Sequence, residues 1–257
     1  PDSLLGAAWP VMQGGLEVPL SYAGIITMTI NLGTIISSLL SDRVIRRFGA
    51  GRVTAVCTAM TAAALFGFSV SDRFWLLVLC AVPYGLGGGS IDAALNNYVA
   101  LHYSSRHMSW LHACWGVGVT ISPYIMGAAL SAQKGWQAGY HTVGWIQAGL
   151  TAVLFAALPL WKRVQWPAGD EEVKPKLLSI REAMKIPGVP YVMVAFFAFC
   201  ALEHCAGLWA STYLVEYRGV DVETAARFAA LFYSGLTVGR FLNGFTADRV
   251  GYKQMIR

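Results

Sequence analysis

Four ionisable side chains, Asp2, Asp92, Glu203 and Arg240, interrupt stretches of sequence that are otherwise apolar enough to lie in a membrane. A charge at mid-membrane costs ~2.5–3.5 kcal/mol on insertion scales, so each needs a partner or a task. A carboxylate in such a span can take up a proton, which removes the charge that would otherwise have to cross the barrier. Asp2 or Asp92 would suit that use. Asp92 and Asn96 stand four residues apart, on one face of a helix. Asn96, with Asn31 and Glu203, could bind a polar solute. His112 lies about as deep as Asn96 on the next apolar stretch, so those two could meet, although a lone buried His is more often a hydrogen-bonded core residue. His204 follows Glu203 and points ~100° away from it on a helix, so the two do not face one ligand equally. Trp9, Trp115 and Trp209 lie away from the span ends. Indole faces stack on the C–H faces of sugar rings, and helix packing would use them as readily. Each carboxylate could instead satisfy a backbone group or pair with Arg240, Asn31 could bridge two helices, and Arg240 suits a structural role.

These residues are positioned by long apolar segments. The chain is 56% hydrophobic and 13% charged, against about 25% charged in a soluble domain. Crossing the hydrocarbon takes ~20 apolar residues, and seven complete spans are read at 21–40, 54–70, 74–100, 109–131, 142–161, 190–214 and 224–246. Ahead of them, Asp2 to Met12 reads as the back half of another helix, without the basic start of a signal peptide. Basic residues cluster on one side: Arg43, Arg46, Arg47 and Arg52, then Arg106, then Lys162 to Lys185, then Arg249, Lys253 and Arg257. The other side holds Arg73, Lys134 and Arg218. The positive-inside rule makes 41–53, 102–108, 162–189 and 247–257 cytoplasmic loops, a bias that suits a bacterial inner membrane. The net charge of +5 therefore reflects topology and gives no reason to expect nucleic-acid binding. Trp75, Trp110, Trp136 and Trp161 sit at span ends, as interfacial aromatics do.

The expected organisation is a first transmembrane unit at 1–161, a polar linker at 162–189 and the start of a second unit at 190–257. Within the linker Ser179-Ile180-Arg181-Glu182 reads as a capping box opening a short interfacial helix, with Leu177, Ile180 and Met184 on one face. The five cysteines all lie in apolar spans without Cys-x-x-Cys spacing and read as packing residues. No cofactor or metal is expected. Neither a Gly-x-Ser-x-Gly elbow nor a His-Glu-x-x-His zinc motif occurs, and the chain is not read as an enzyme.

A charged signature occurs twice. The first copy is Ser38-x-x-x-Asp42-Arg43-x-x-Arg46-Arg47-x-Gly49, and the second is Gly244-x-x-x-Asp248-Arg249-x-Gly251-x-Lys253. Repetition at this interval between apolar spans resembles the loop signature of the major facilitator superfamily, found after that family's helices 2 and 8. Ser38 stands where the family's leading glycine would be. The resemblance implies an all-α integral membrane protein with an incomplete major facilitator fold, about seven and a half of twelve transmembrane helices: helix 1 in part and helices 2 to 8. It also implies that Asp42, Arg43, Arg46, Arg47, Gly244, Asp248, Arg249 and Gly251, with Arg240, form conformational gates, the aspartates pairing with helix ends across the basic face.

Two further stretches narrow the resemblance. Asp92-x-x-x-Asn96 is similar to the acidic-x-x-x-Asn pattern on helix 4 of the fucose/galactose/glucose proton symporters, with Asn97 where many members have proline. Leu111-His112 with Gly116-Val117-Gly118 resembles helix 5 of related sugar transporters, and half resembles the antiporter motif of drug exporters, from which Ser122 and Met126 depart. The implied function is proton-coupled transport of a small polar solute, a sugar foremost, by a monomer in the lipid bilayer. Asp2, Asp92 and Glu203 would couple protons, and Trp9, Asn31, Asn96, His112, Trp115 and Trp209 would line the solute site. Drug/proton antiport, or a membrane receptor or scaffold that kept the fold without transport, are the alternatives.

Overall fold

A computed structural model describes residues 2–161 and 180–250. The described residues form helices throughout: α1 (Asp2–Gly15), α2 (Tyr22–Phe48), α3 (Ala50–Ser69), α4 (Phe74–His102), α5 (Ser105–Ser131), α6 (Gly135–Trp161), the single turn α7 (Ile180–Ala183), α8 (Val189–Arg218) and α9 (Val222–Val250). Most of the expected linker lies outside the described residues, and α7 is all that is described of its interfacial helix.

The helices run past the expected spans and absorb the charged signature. Only Gly49 separates α2 from α3, and only Tyr103 and Ser104 separate α4 from α5, so most of 41–53 and 102–108 is helix rather than loop. Asp42, Arg43, Arg46 and Arg47 all lie on α2. Asp42 forms an ion pair with Arg46 one turn on, an i,i+4 pairing that supports a helix, and arginines in a last turn face the negative end of the helix dipole. The chain leaves α2 at Gly49, at φ 82°, a left-handed value that costs glycine little.

Six helices, α2 to α6 and α8, are long and apolar enough to cross a membrane, whereas the sequence implied seven complete spans. The seventh, α9, has the length, 29 residues, but Arg240 and Asn243 interrupt its apolar character. Its place is fixed by packing, since α5 against α9 is the most extensive helix pair. Next come α2 on α4 and α3 on both α4 and α6, while α1 lies between α5 and α8.

Glycine makes several of these crossings possible, because a missing Cβ lets backbones approach. Gly85 and Gly89 face the α2 backbone at Ile30 and Thr34. Thr34 Oγ1 donates to the Gly85 carbonyl at 3.2 Å, and Ser38 Oγ to that of Gly89 at 3.3 Å. The residue that replaces the signature's leading glycine is thus a bond between α2 and α4. In the second copy Gly244 receives the Trp110 indole of α5.

The packed core is asymmetric. Leu4, Trp9, Met12, Ile26, Phe68, Phe74, Leu77, Met126 and Trp136 are buried together, around the helix ends remote from the basic residues. Towards the basic end α8 is bare, with Tyr191, Val192, Phe196 and Phe197 all exposed. Apolar side chains in such numbers on the outside suit a surface meeting lipid.

Candidate functional site

Two polar constellations and a cavity lie within the helices. Glu203 sits at the middle of α8 and is 8% exposed. Arg240, ~6 Å past the middle of α9 on the basic side, reaches it through one nitrogen: Nη2 donates to Oε2 at 3.1 Å and to Oε1 at 3.3 Å. The guanidinium also lies over the Trp115 ring of α5, 4.7 Å from its centroid. A guanidinium on an indole face gains ~0.5–2 kcal/mol, the more the less water reaches it. Three helices thus meet at one charge pair. Arg240 thus lies within α9, one turn before Gly244, and the face of Trp115 beneath it is taken by the cation.

The second constellation is on α4. Asn96 Nδ2 donates to Asp92 Oδ1 at 2.8 Å, so the two share a face as their spacing requires. Asp92 is exposed, while Asn96 Oδ1 is buried without a hydrogen-bond partner among the described residues. The expected meeting of Asn96 with His112 is not formed; His112 is half-buried on α5 and makes no hydrogen bond among the described residues.

The cavity lies among α1, α2, α3, α4, α6, α8 and α9. Its lining is mostly apolar, with Asn31, Thr27, Tyr84, Tyr140, His204 and Tyr233 contributing polar groups. Its water-accessible space is about 40 Å³, room for a few waters and far from enough for a sugar ring. This conformation is therefore closed around a small pocket. His204 turns into the pocket while its neighbour Glu203 pairs with Arg240, as their angular separation required. The three tyrosines were missed by sequence reading; the off-interface position used for the tryptophans would have found Tyr84 and Tyr233, whereas Tyr140 precedes the expected span 142–161.

The remaining candidates are scattered. Trp9 is fully buried, its Nε1 donating to the Leu20 carbonyl at 2.9 Å, so neither ring face is open here. Trp209 is partly buried and packs against the apolar core. The side chain of Asp2 lies outside the described residues; next to it, Ser3 Oγ donates to the Val119 carbonyl of α5 at 2.8 Å. Asp42 pairs within its own helix, not across the basic face, and Arg47 lies 5.4 Å over Phe48. The side chains of Asp248 and Arg249, and all of Gly251, lie outside the described residues.

The opposite end is stitched by polar contacts between early and late helices. Gln13 Nε2 donates to Glu216 Oε1 at 3.0 Å, joining α1 to α8. Ser131 donates to Glu223, joining α5 to α9, and Glu223 also pairs with Arg227. Gly6 and Gly207 bring α1 and α8 into backbone contact. Asp221 caps α9 by accepting from the Thr224 backbone N–H at 2.9 Å, and hydrogen bonds from Thr224 hold its carboxyl below the usual carboxylate range. Among the described residues no cluster of His, Cys, Asp and Glu is placed to hold a metal ion.

The sequence profile of the Major Facilitator Superfamily matches residues 2–257. Similar curated proteins include the Hexuronate transporter of Bacillus subtilis, 25% identical over 99% of this chain and 62% of that protein. Bypass of stop codon protein 6 of Saccharomyces cerevisiae is 21% identical over 96% of the chain and 54% of its own length. Membrane sensor protein UhpC of Salmonella typhimurium is 25% identical over 92% and 56%. The chain thus spans between half and two thirds of the length of these relatives.

Proposed function

The chain belongs to the Major Facilitator Superfamily, and we propose that it forms part of a proton-coupled secondary carrier for a small polar solute, a sugar or sugar acid, working by alternating access. The observation that carries this reading is a small closed pocket inside apolar helices, where Asn31, His204 and the tyrosines 84, 140 and 233 from five different helices converge among apolar side chains. The pocket's small size fits the closed phase of a cycle in which it widens to admit solute. Sugar acids come into the reading through the name of the Bacillus subtilis relative.

In this scheme the first six helices and the α8–α9 part belong to two units that rock about the pocket. Asn31 and Asn96 hold hydroxyls, and Asp92, Glu203 or Asp2 takes up the driving proton. Trp209, next in sequence to the pocket-lining Leu208, would border the widened site; Trp9 stays a packing residue unless α1 moves. The basic ends face the cytoplasm, the carrier is a monomer, and the membrane is a bacterial inner membrane. With a neutral sugar, a proton moving inward down the potential releases ~2.3 kcal/mol per 100 mV; with a sugar-acid monoanion the pair is neutral and the pH gradient alone drives it.

The test uses the full-length protein in proteoliposomes with a pH-sensitive dye in the lumen. Neutral hexoses, hexuronates and lipophilic cations are added outside in turn. Lumenal acidification on addition of a hexose or hexuronate, lost in Asp92→Asn or in Glu203→Gln, is the expected result. Proton flux answering only to lipophilic cations would replace the reading with drug antiport. A second reading, a sensor that binds solute without accumulating it, is favoured by the similarity to Membrane sensor protein UhpC; saturable hexuronate binding with no uptake and no proton movement would select it.

A further inference from the structure

Arg240 has hydrogen-bonding capacity to spare. Its Nη2 serves both oxygens of Glu203, so the pair lacks the fork-to-fork geometry in which two nitrogens meet two oxygens. Among the described residues Nε and Nη1 donate to nothing, and 24% of the side chain remains accessible. The Trp115 indole covers one face and leaves the donor edge open. Of the arginines and lysines described, Arg240 lies nearest the middle of a long helix. A guanidinium with an open two-nitrogen edge, in surroundings with few other cations, fits the two oxygens of a carboxylate.

We propose that Arg240 anchors a carboxylate-bearing solute and that Glu203 is the resident carboxylate which that solute replaces. This deepens the carrier reading and rests on it. With Glu203 ionised, the empty site is a neutral pair. A solute carboxylate arriving there would meet the charge of Glu203 as well as that of Arg240. When Glu203 binds a proton from the water the site faces, its hold on Nη2 weakens and the solute carboxylate takes the guanidinium. The occupied site then holds one cation, one anion and a neutral acid, and is neutral again. On solute release Glu203 gives up the proton and re-pairs. Both states that must cross between the two faces thus carry no net charge, the condition for moving buried ions cheaply.

Few other groups compete for the proton. Cys200, one turn away on α8, lies in the field of both Glu203 and Arg240. His204 points to the pocket, and His112 stands about one turn from Trp115 on α5. Among its described side chains α1, also packed on α8, brings none that titrates.

One proton per monoanion makes the cycle electroneutral, and the experiment exploits that. Full-length protein in proteoliposomes is given radiolabelled glucuronate or glucose under an imposed pH gradient or an imposed potassium-valinomycin potential. Kd for each sugar is measured by calorimetry in detergent. Wild type should accumulate glucuronate with the pH gradient and ignore the potential. Glu203→Gln should bind glucuronate several-fold more tightly and exchange it, yet fail to accumulate it. Arg240→Gln alone leaves Glu203 an uncompensated buried charge that works against folding, so the neutral double variant Glu203→Gln/Arg240→Gln carries the test, with wild-type elution and melting as the check. Its glucuronate Kd should weaken by ~10-fold or more, the size expected for a lost charge-assisted bond. An unchanged Kd in the double variant, or potential-driven glucuronate uptake by wild type, overturns the anchor while leaving the carrier reading intact. Failure of wild type to take up either sugar overturns both.

Discussion

Replacing Gly85 by alanine tests whether the α2–α4 crossing holds this bundle together. A Cβ at Gly85 would press on the Ile30 carbonyl, with the Ile30 carbonyl carbon and Cα both 2.9 Å away. Carbon atoms in contact settle at ~3.5–4.0 Å, so the helices would have to part by ~0.6–1 Å. The obstruction is backbone, and no side-chain rotation relieves it. Overpacking of this kind costs ~1–3 kcal/mol, and parting the helices also strains the Thr34–Gly85 bond, an interaction averaging ~0.6 kcal/mol inside membranes. The steric cost decides the outcome. Gly88, three residues on, provides the control: a methyl group there meets nothing within 4 Å, and alanine improves helix propensity by up to ~1 kcal/mol. Purified protein would be heated in detergent while a thiol-reactive dye reports exposure of Cys57 and Cys80, both partly sheltered in the fold. At ~2–4 °C per kcal/mol for a chain of this size, Gly85→Ala should lower the midpoint by ~2–12 °C, with Gly88→Ala at or above wild type. Equal midpoints for the two variants would refute the close-approach account.

Gly244→Ala should be milder, because the new methyl meets the Trp110 Nε1 and Ser109 Cβ at 3.2 and 3.3 Å and side chains can yield; a shift under ~2 °C is expected in the same melt, and a loss matching that of Gly85→Ala would contradict the distinction between backbone and side-chain obstruction. Gln147 Nε2 donates to Thr61 Oγ1 at 2.9 Å between α6 and α3, so Thr61→Val should cost ~0.6–1.7 kcal/mol, read as a lower melting midpoint. Asp221 sets a pH dependence. Its folded-state value is lowered from 3.8, so the charged cap stabilises the fold above that value, and the stabilisation fades as pH falls through the lower folded value. The melting gap between wild type and Asp221→Ala should hold at neutral pH and close in acid; a gap that is constant down through the carboxylate range would show that the charge of Asp221 is not what caps α9.

The helices were legible because apolar length is a local property. Their ends were not: 41–53 reads as a charged loop, yet Asp42 and Arg46 lie one turn apart and favour continuing the helix to Gly49. Spacing also fixed what lies on one helix, as with Asp92 and Asn96, or the divergence of Glu203 from His204. It could not fix what lies between helices. Trp9 and Trp115 are equally off-interface tryptophans in the sequence, but one is sealed in the core and the other lies under a guanidinium. That difference arises from where α1, α5 and α9 cross, which no local pattern encodes.

The same limit leaves Arg240 readable from sequence as an intramembrane cation that could pair with a carboxylate, without saying which. It stands four residues before Gly244, and on a continuous helix that is one turn, ~6 Å deeper. On the surface an arginine–carboxylate pair contributes ~0–1 kcal/mol and constrains little. One turn inward, between α5 and α8, breaking such a pair by removing one partner costs ~3–5 kcal/mol. The pair therefore ties α8 to α9 for as long as Glu203 is ionised, and Trp115 carries that tie to α5. A proton on Glu203 or a rival carboxylate on Arg240 each loosens the link between α8 and the α5–α9 pair without leaving a lone charge, provided the two arrive together. That requirement is what would couple them: either event alone leaves an unbalanced charge within the spans, and both together do not.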